Sequence, residues 1–130
     1  MIKVVIVEDS PVVRRGLIQM LGRQPDMLIA GEATNGLEAI DLLRSGTVAD
    51  VLLTDLNMLE MNGIEMTEYV NEHFPGNKVV ILTMHARQKF MEKAYLVGAK
   101  GYVLKDAETD ELLDAIRLVH EGETYFKPLV

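Results

Sequence analysis

The chain contains no cysteine and no tryptophan. Without cysteine there can be no disulfide framework and no thiolate metal site, which favours an intracellular, cytoplasmic setting. Without tryptophan, intrinsic indole quenching cannot report ligand binding. No stretch at the start looks like a signal peptide, since Met1-Ile2-Lys3 runs straight into a strand pattern, and none is expected. The longest apolar runs fall far short of a membrane span, so no membrane partner is expected. Positive charge is in deficit: 13 Lys and Arg against 20 Asp and Glu give a formal net charge of −7. That balance is a poor match for nucleic acid, and any DNA binding would have to come from a domain outside this chain. There is no internal repeat, low-complexity segment or interdomain linker. What remains is 130 residues, 48% hydrophobic and 25% charged, enough for one globular domain with a single core.

Apolar runs alternate with amphipathic stretches. Lys3-Val4-Val5-Ile6-Val7 is continuous and β-branched, the pattern of a strand buried on both faces. Ser10 before Pro11 is an N-cap followed by the residue favoured at the first helical position, with Val13, Leu17, Met20 and Leu21 at helical spacing beyond. Met27 to Ala33 reads as a second strand, and Asn35-Gly36-Leu37-Glu38 as a capping box opening a second helix. Asp50 to Thr54 is a third strand, followed by a helix from Ile64 to His73 and the loop Phe74-Pro75-Gly76-Asn77. Lys78 to Leu82 is a fourth strand, ended by Thr83, with a helix from about Gln88 to Val97 that stops at Gly98. Gly101 to Leu104 is a short last strand, ended by Lys105. The final helix opens on acid-rich Glu108-Thr109-Asp110-Glu111, carries Leu112, Leu113, Ile116 and Val119, and closes at Gly122. Five strands alternating with five helices imply a three-layer α/β fold, a parallel sheet covered on both faces.

In an open parallel sheet, sites form outside the carboxyl ends of the strands. Here those ends carry Glu8 and Asp9, then Asp55, Thr83 and Lys105, while the second strand ends near Thr34-Asn35. Each residue alone has an ordinary explanation. Glu8 and Asp9 suit a helix N-terminus, Thr83 a turn, and Lys105 the surface. Their joint placement shifts the balance toward a site. Two carboxylates about 5 Å apart repel by roughly 3 kcal/mol at an effective dielectric near 20. Three carboxylates facing one lysine therefore either raise their pKa values or take up a divalent cation. All-oxygen donors favour Mg²⁺ or Mn²⁺ over Zn²⁺. A cation, a lysine and a hydroxyl around one carboxylate suit phosphoryl transfer, and Asp55 is the best candidate for the acceptor.

These motifs resemble the receiver domain of bacterial two-component response regulators, over essentially the whole chain. The matching features are the acid pair after the first strand, D-x-x-M-x-x-x-x-G from Asp55 to Gly63, L-T at Leu82-Thr83, and G-Y-V-L-K ending at Lys105. The resemblance implies a flavodoxin-like, doubly wound sheet of order 2-1-3-4-5. It implies that Asp55 accepts a phosphoryl group from a sensor histidine kinase. It implies Mg²⁺ held by Asp9, Asp55 and the Asn57 backbone carbonyl, with Glu8 acting mainly through water. Lys105 would pair with Asp55, Thr83 would swing toward the phosphoryl group, and Tyr102 would change rotamer with it. The face of the fourth helix, fifth strand and fifth helix would then change. Such a protein is a switch rather than an enzyme with a separate substrate.

Two positions depart from the family pattern: Leu59 stands where many members have proline, and Asp106 follows Lys105 where many have a cis-proline. A non-proline cis bond costs about 3 kcal/mol, so a trans Lys105–Asp106 bond is expected. Asn57 and His85 occupy variable positions that, in this family, tune the lifetime of the phosphorylated state. Ala115-Ile116-Arg117, Val119-His120-Glu121-Gly122 and Tyr125-Phe126 resemble NarL/FixJ-type regulators, which continue into a LuxR-type helix-turn-helix domain. Residues 1–124 would then be the receiver and 125–130 the start of a linker, with dimerisation on phosphorylation as a further implication. The competing reading is a pseudo-receiver, a docking module of the same fold that is never phosphorylated. An aspartyl phosphatase fits less well, since that class resembles D-x-D after the first strand. A flavodoxin-like cofactor binder would need a glycine-bearing phosphate loop where Glu8-Asp9-Ser10-Pro11 stands.

Overall fold

A computed structural model of the chain describes residues 1–58 and 60–127. Its elements run β1 (Ile2–Val7), α1 (Pro11–Gly22), β2 (Met27–Ala33), α2 (Gly36–Arg44), β3 (Val51–Thr54), α3 (Gly63–His73), β4 (Lys78–Thr83), α4 (Gln88–Leu96), β5 (Gly101–Leu104), α5 (Thr109–His120) and β6 (Tyr125–Phe126). The sheet is parallel throughout, in the order β2-β1-β3-β4-β5-β6. Among the described residues the α/β class, five helices and 2-1-3-4-5 order are as expected, and the strand count is corrected from five to six. Tyr125-Phe126, at the start of the stretch expected to lead into a linker, pairs with Gly101 and Tyr102 of β5. Two residues are too short for a periodicity signal, which is why sequence patterning misses the strand. Residues 128–130 of the expected linker, and Leu59, lie outside the described residues.

The unbroken apolar character of the strands follows from burial on both sides. Val5, Val7, Leu52, Val79, Ile81 and Tyr102 face one core with α2, α3 and α4. Val4, Ile6, Val51, Leu53, Val80, Leu82 and Val103 face a second core with α1 and α5. Each fully buried aliphatic side chain stabilises the fold by about 1.5–3 kcal/mol, whereas an exposed ion pair is worth under about 1 kcal/mol. The sheet, not the surface charges, therefore sets where the strand tips sit.

The helix ends show which local readings hold. Ser10 accepts from the Val13 N–H at 3.4 Å, with Pro11 at the first helical position. Val13, placed in the α1 stripe by its spacing, is exposed, while Leu17, Met20 and Leu21 pack inward. The Asn35 side chain accepts from the Glu38 N–H at 2.9 Å, but Glu38 reaches back to the Thr34 N–H at 2.7 Å, one residue before the cap. The reciprocal box is found on α3 instead, where Asn62 and Glu65 accept from each other's backbone N–H at 2.9 and 3.1 Å. Gly98 and Gly122 follow α4 and α5 with φ of +105° and +100°, the left-handed conformation that ends a helix.

Gly63 is required for a different reason. A Cβ there would lie 2.3 Å from the Asp55 carbonyl oxygen and 3.1 Å from the Leu56 Cα, both backbone atoms. Gly63→Ala should therefore destabilise the fold by about 1–3 kcal/mol, the usual range for overpacking. Gly16 is exposed within α1, and a Cβ there would meet nothing within 4 Å, which predicts the opposite sign. Gly16→Ala should stabilise by about 0.8–1.0 kcal/mol on helix propensity. Urea unfolding of the two variants beside the parent checks both, and a neutral Gly63→Ala would contradict the close approach.

Candidate functional site

The strand order places β2 at the outer edge and brings the ends of β1, β3, β4 and β5 together. The Lys105 Nζ lies 2.9 Å from Glu8 Oε1 and 3.1 Å from Asp55 Oδ2, bridging two strand ends from a third. Carboxylate oxygens of Glu8, Asp9 and Asp55 all fall within 4.8 Å of one another. Glu8 is almost fully buried, Asp55 partly so, and Asp9 is exposed. The cluster thus opens to solvent on the Asp9 side and is closed beneath Glu8.

Backbone groups aim the carboxylates. Glu8 Oε2 accepts from the Ser10 N–H at 2.9 Å, leaving Oε1 for Lys105. Asp55 Oδ1 accepts from the Leu56 N–H at 2.7 Å, leaving Oδ2 for Lys105. The Asp55 main chain is tied on both sides: its N–H donates to Val7 at 3.1 Å, and its carbonyl accepts the Thr54 hydroxyl at 3.0 Å. Burial raises the Glu8 pKa against the pull of the Ser10 N–H and Lys105, and the neighbouring Asp9 adds to the rise. Burial alone would lower the Lys105 pKa, yet its hydrogen bonds to Glu8 and Asp55 outweigh that and the net shift is upward. The lysine is thus held as an ammonium ion among acids.

Thr83, fully buried, accepts the His85 N–H on its hydroxyl at 3.2 Å. The Tyr102 hydroxyl donates to the His85 carbonyl at 2.7 Å, and burial pushes the phenol up to about 12. The Asn57 side chain meets the His85 ring, which also packs against Phe90. Thr83, Tyr102 and Asn57 are therefore joined through His85, and among the described residues none shares a hydrogen bond with the three carboxylates. His85 is the hinge of this polar group, a role that sequence spacing does not reveal. Sequence reasoning does not assign Arg14 to the site. Its guanidinium donates to the Glu8 carbonyl at 2.8 Å and to Glu32 Oε1 at 3.0 Å, so the outer strand β2 reaches the site indirectly. A basic residue one turn into the helix after the acid pair is the signal that points to it. No cis peptide occurs among the described residues, so the bond after Lys105 is trans, as its sequence requires.

The donor set suits a hard divalent cation. Three carboxylates share a space with one ammonium group, every donor is oxygen, and no histidine ring nitrogen belongs to the cluster. A fully conjoined set of ionised acids at this spacing would otherwise repel by several kcal/mol.

Among the described residues no helix is long and apolar enough to cross a membrane. Residues 4–117 match the family model of the response regulator receiver domain. The chain is 40% identical over 121 residues to YhcZ, a transcriptional regulatory protein of Bacillus subtilis, covering 93% of this chain and 56% of that protein. It is 38% identical over 127 residues to the oxygen regulatory protein NreC of Staphylococcus carnosus, covering 97% and 58%. The chain thus spans little more than half the length of these curated relatives. A LuxR-family two-component response regulator from Aurantimonas superposes with a TM-score of 0.91 at 32% identity, covering 97% of this chain and 89% of that one. The signal receiver domain of the putative regulator NarL from Mycobacterium tuberculosis gives 0.88 at 27% identity, covering 94% and 98%. With the acid cluster, the bridging lysine and the 2-1-3-4-5 core of the sheet in place, the chain belongs to the response regulator receiver domains, of the kind found in NarL- and LuxR-type transcriptional regulators.

Proposed function

We propose that this chain is a phosphorylation-activated switch in which Asp55 accepts a phosphoryl group from a sensor histidine kinase. The observation that carries this reading is the Asp55 carboxylate, with one oxygen fixed by the Leu56 N–H and the other facing Lys105 beside Glu8 and Asp9. In the transfer, the Asp55 oxygen forms a bond to phosphorus while the bond from phosphorus to the donor nitrogen breaks. The electron pair stays on the departing imidazole, which takes up a proton. Lys105 holds a phosphoryl oxygen once its contact with Asp55 Oδ2 is exchanged, and Glu8 keeps the ammonium in place meanwhile.

Glu8, Asp9, Asp55 and the Asn57 backbone carbonyl are the residues that would hold Mg²⁺ or Mn²⁺. When bound, the ion offsets the charge of the acids and of the phosphoryl oxygens. Thr83 and Tyr102 serve as the switch. Turning the Thr83 hydroxyl toward the acceptor gives up the His85 N–H, and the same loop holds the Tyr102 hydroxyl through the His85 carbonyl. The new charge and acceptor oxygens on Asp55 thereby bias the α4, β5 and α5 face. A domain of this kind assists its own phosphorylation and dephosphorylation but turns over no separate substrate. The chain acts in the cytoplasm, with dimerisation or an attached C-terminal DNA-binding domain as the output. Support for that output comes from the longer LuxR-type relatives, among them RcsB, solved as a DNA complex.

With acetyl phosphate and Mg²⁺, intact-protein mass spectrometry should show a gain of one phosphoryl group, absent in Asp55→Asn. An unmodified parent protein would instead favour the docking-module reading. Mg²⁺ alone should raise the melting temperature, because an ion that binds only the folded state at a hundredfold excess over its Kd stabilises by about 2.7 kcal/mol. Asp9→Asn should lose most of that rise. Identical melting curves with and without saturating Mg²⁺ would exclude the acid cluster as its site.

A further inference from the structure

Arg14 stands where a cation is out of place. It lies one turn into α1, whose first turn carries no acid, so its charge opposes the positive end of the helix dipole. Its side chain is only 17% exposed, too sheltered for a solvated surface charge. Two hydrogen bonds account for the position. The Glu8 N–H donates to the Ala33 carbonyl at 2.9 Å, and the next rung of a parallel ladder would bring the Asn35 N–H to the Glu8 carbonyl. β2 ends at Ala33, however, and Asn35 caps α2. Arg14 Nη1 takes that rung instead, donating to the Glu8 carbonyl at 2.8 Å, while its Nε donates to Glu32 Oε1 at 3.0 Å. The planar guanidinium sets both donors in one rigid fork, so Glu32 on β2 fixes the angle at which the carbonyl is held.

That carbonyl belongs to the peptide joining Glu8 to Asp9. A peptide group is planar, so a hold on its oxygen also sets the Asp9 N–H and limits the direction of the Asp9 side chain. The Glu8 carboxylate has supports of its own in the Ser10 N–H and Lys105. Asp9 is exposed, and its carboxylate oxygen completes the cluster with Glu8 and Asp55 within 4.8 Å. Arg14 carries a permanent charge that a site carboxylate would attract, and Glu32 gives it an acid to pair with outside the cluster. We propose that Arg14, anchored by Glu32, is a positioning residue for the divalent-cation site. It holds the Glu8–Asp9 peptide so that Asp9 faces Asp55, and it touches neither the ion nor the phosphoryl group. This role rests on the reading of the acid cluster as a cation site. The edge strand β2, which ends short of the cluster, thereby takes part in cation affinity through one side chain.

The test titrates Mn²⁺ alone into the 130-residue chain at fixed ionic strength, with free ion read from its electron paramagnetic resonance signal. Arg14→Ala should weaken Mn²⁺ binding by about tenfold, the lower end of the cost of losing a residue that orients a metal ligand. The sign separates positioning from charge, because removing a cation beside three acids would by Coulomb attraction alone tighten binding. Unchanged or tighter binding by Arg14→Ala overturns the proposal. Arg14→Lys keeps the charge but replaces the planar fork with a compact ammonium group, and it should also bind more weakly than the parent. Parent-like affinity of Arg14→Lys overturns the two-point hold. If Arg14→Ala does not fold, Arg14→Lys decides alone. At saturating Mg²⁺ the reaction of Arg14→Lys with acetyl phosphate should run at the parental rate, and a deficit that persists there overturns the purely positional role. A parent chain that binds no Mn²⁺ overturns the cation-site reading instead, and the role of Arg14 falls with it.

Discussion

The Lys105 ammonium between Glu8 and Asp55 is the contact on which the site depends. It joins the ends of β1, β3 and β5, none of which is adjacent in sequence to the next, and it can form only if the sheet places those ends on one edge. Two apolar faces supply that placement and hold it far more strongly than the ion pairs themselves could. The price is concentrated negative charge. Glu8 is buried with its pKa pushed upward, and Asp9 remains open to solvent as the side from which a cation or phosphoryl donor can approach.

The site divides into two layers with different partners. The carboxylates and Lys105 form a charged layer whose oxygens are aimed by backbone N–H groups of Ser10 and Leu56. Thr83, Tyr102 and Asn57 form a second layer gathered on His85. Because the layers share no direct hydrogen bond among the described residues, the charged one can change occupancy before the other moves. In the function proposed above, communication between them would run through a change of hydrogen-bond partner at Thr83, whose hydroxyl now accepts the His85 N–H.

Much of this is legible in the sequence, for identifiable reasons. Strands buried on both faces read as unbroken β-branched runs, so β1 and β4 can be placed almost to the residue, and parallel topology then forces their polar ends onto one edge. Residues whose role lies in an orientation are not legible. Glu38 satisfies Thr34 rather than completing a box, because the motif specifies residue types and not which N–H is reached. The true box at Asn62 and Glu65 is overshadowed by the Asp55 loop that precedes it. Arg14 is hidden because its partners, the Glu8 carbonyl and Glu32, become neighbours only once β1 and β2 pair. β6 is invisible because two residues have no period, and only the open edge of β5 makes them a strand.

The loop after Asp55 is fixed at two further points. The Gly63 N–H donates to the Leu56 carbonyl at 2.9 Å, and the Gly36 N–H donates to the Met61 carbonyl at 2.9 Å, where a Cβ on Gly36 would come within 2.7 Å of Met61. One tie sets the distance from the acid to α3, and the other clamps the loop to the start of α2. Together they meter the length of the loop. Chemical variety can be carried by the side chains between Asn57 and Glu60, but an inserted or deleted residue would break at least one tie and carry the acid out of line with its lysine. In this chain the spacing from Asp55 to Gly63 is a ruler, and the glycine at its far end is the mark that keeps it true.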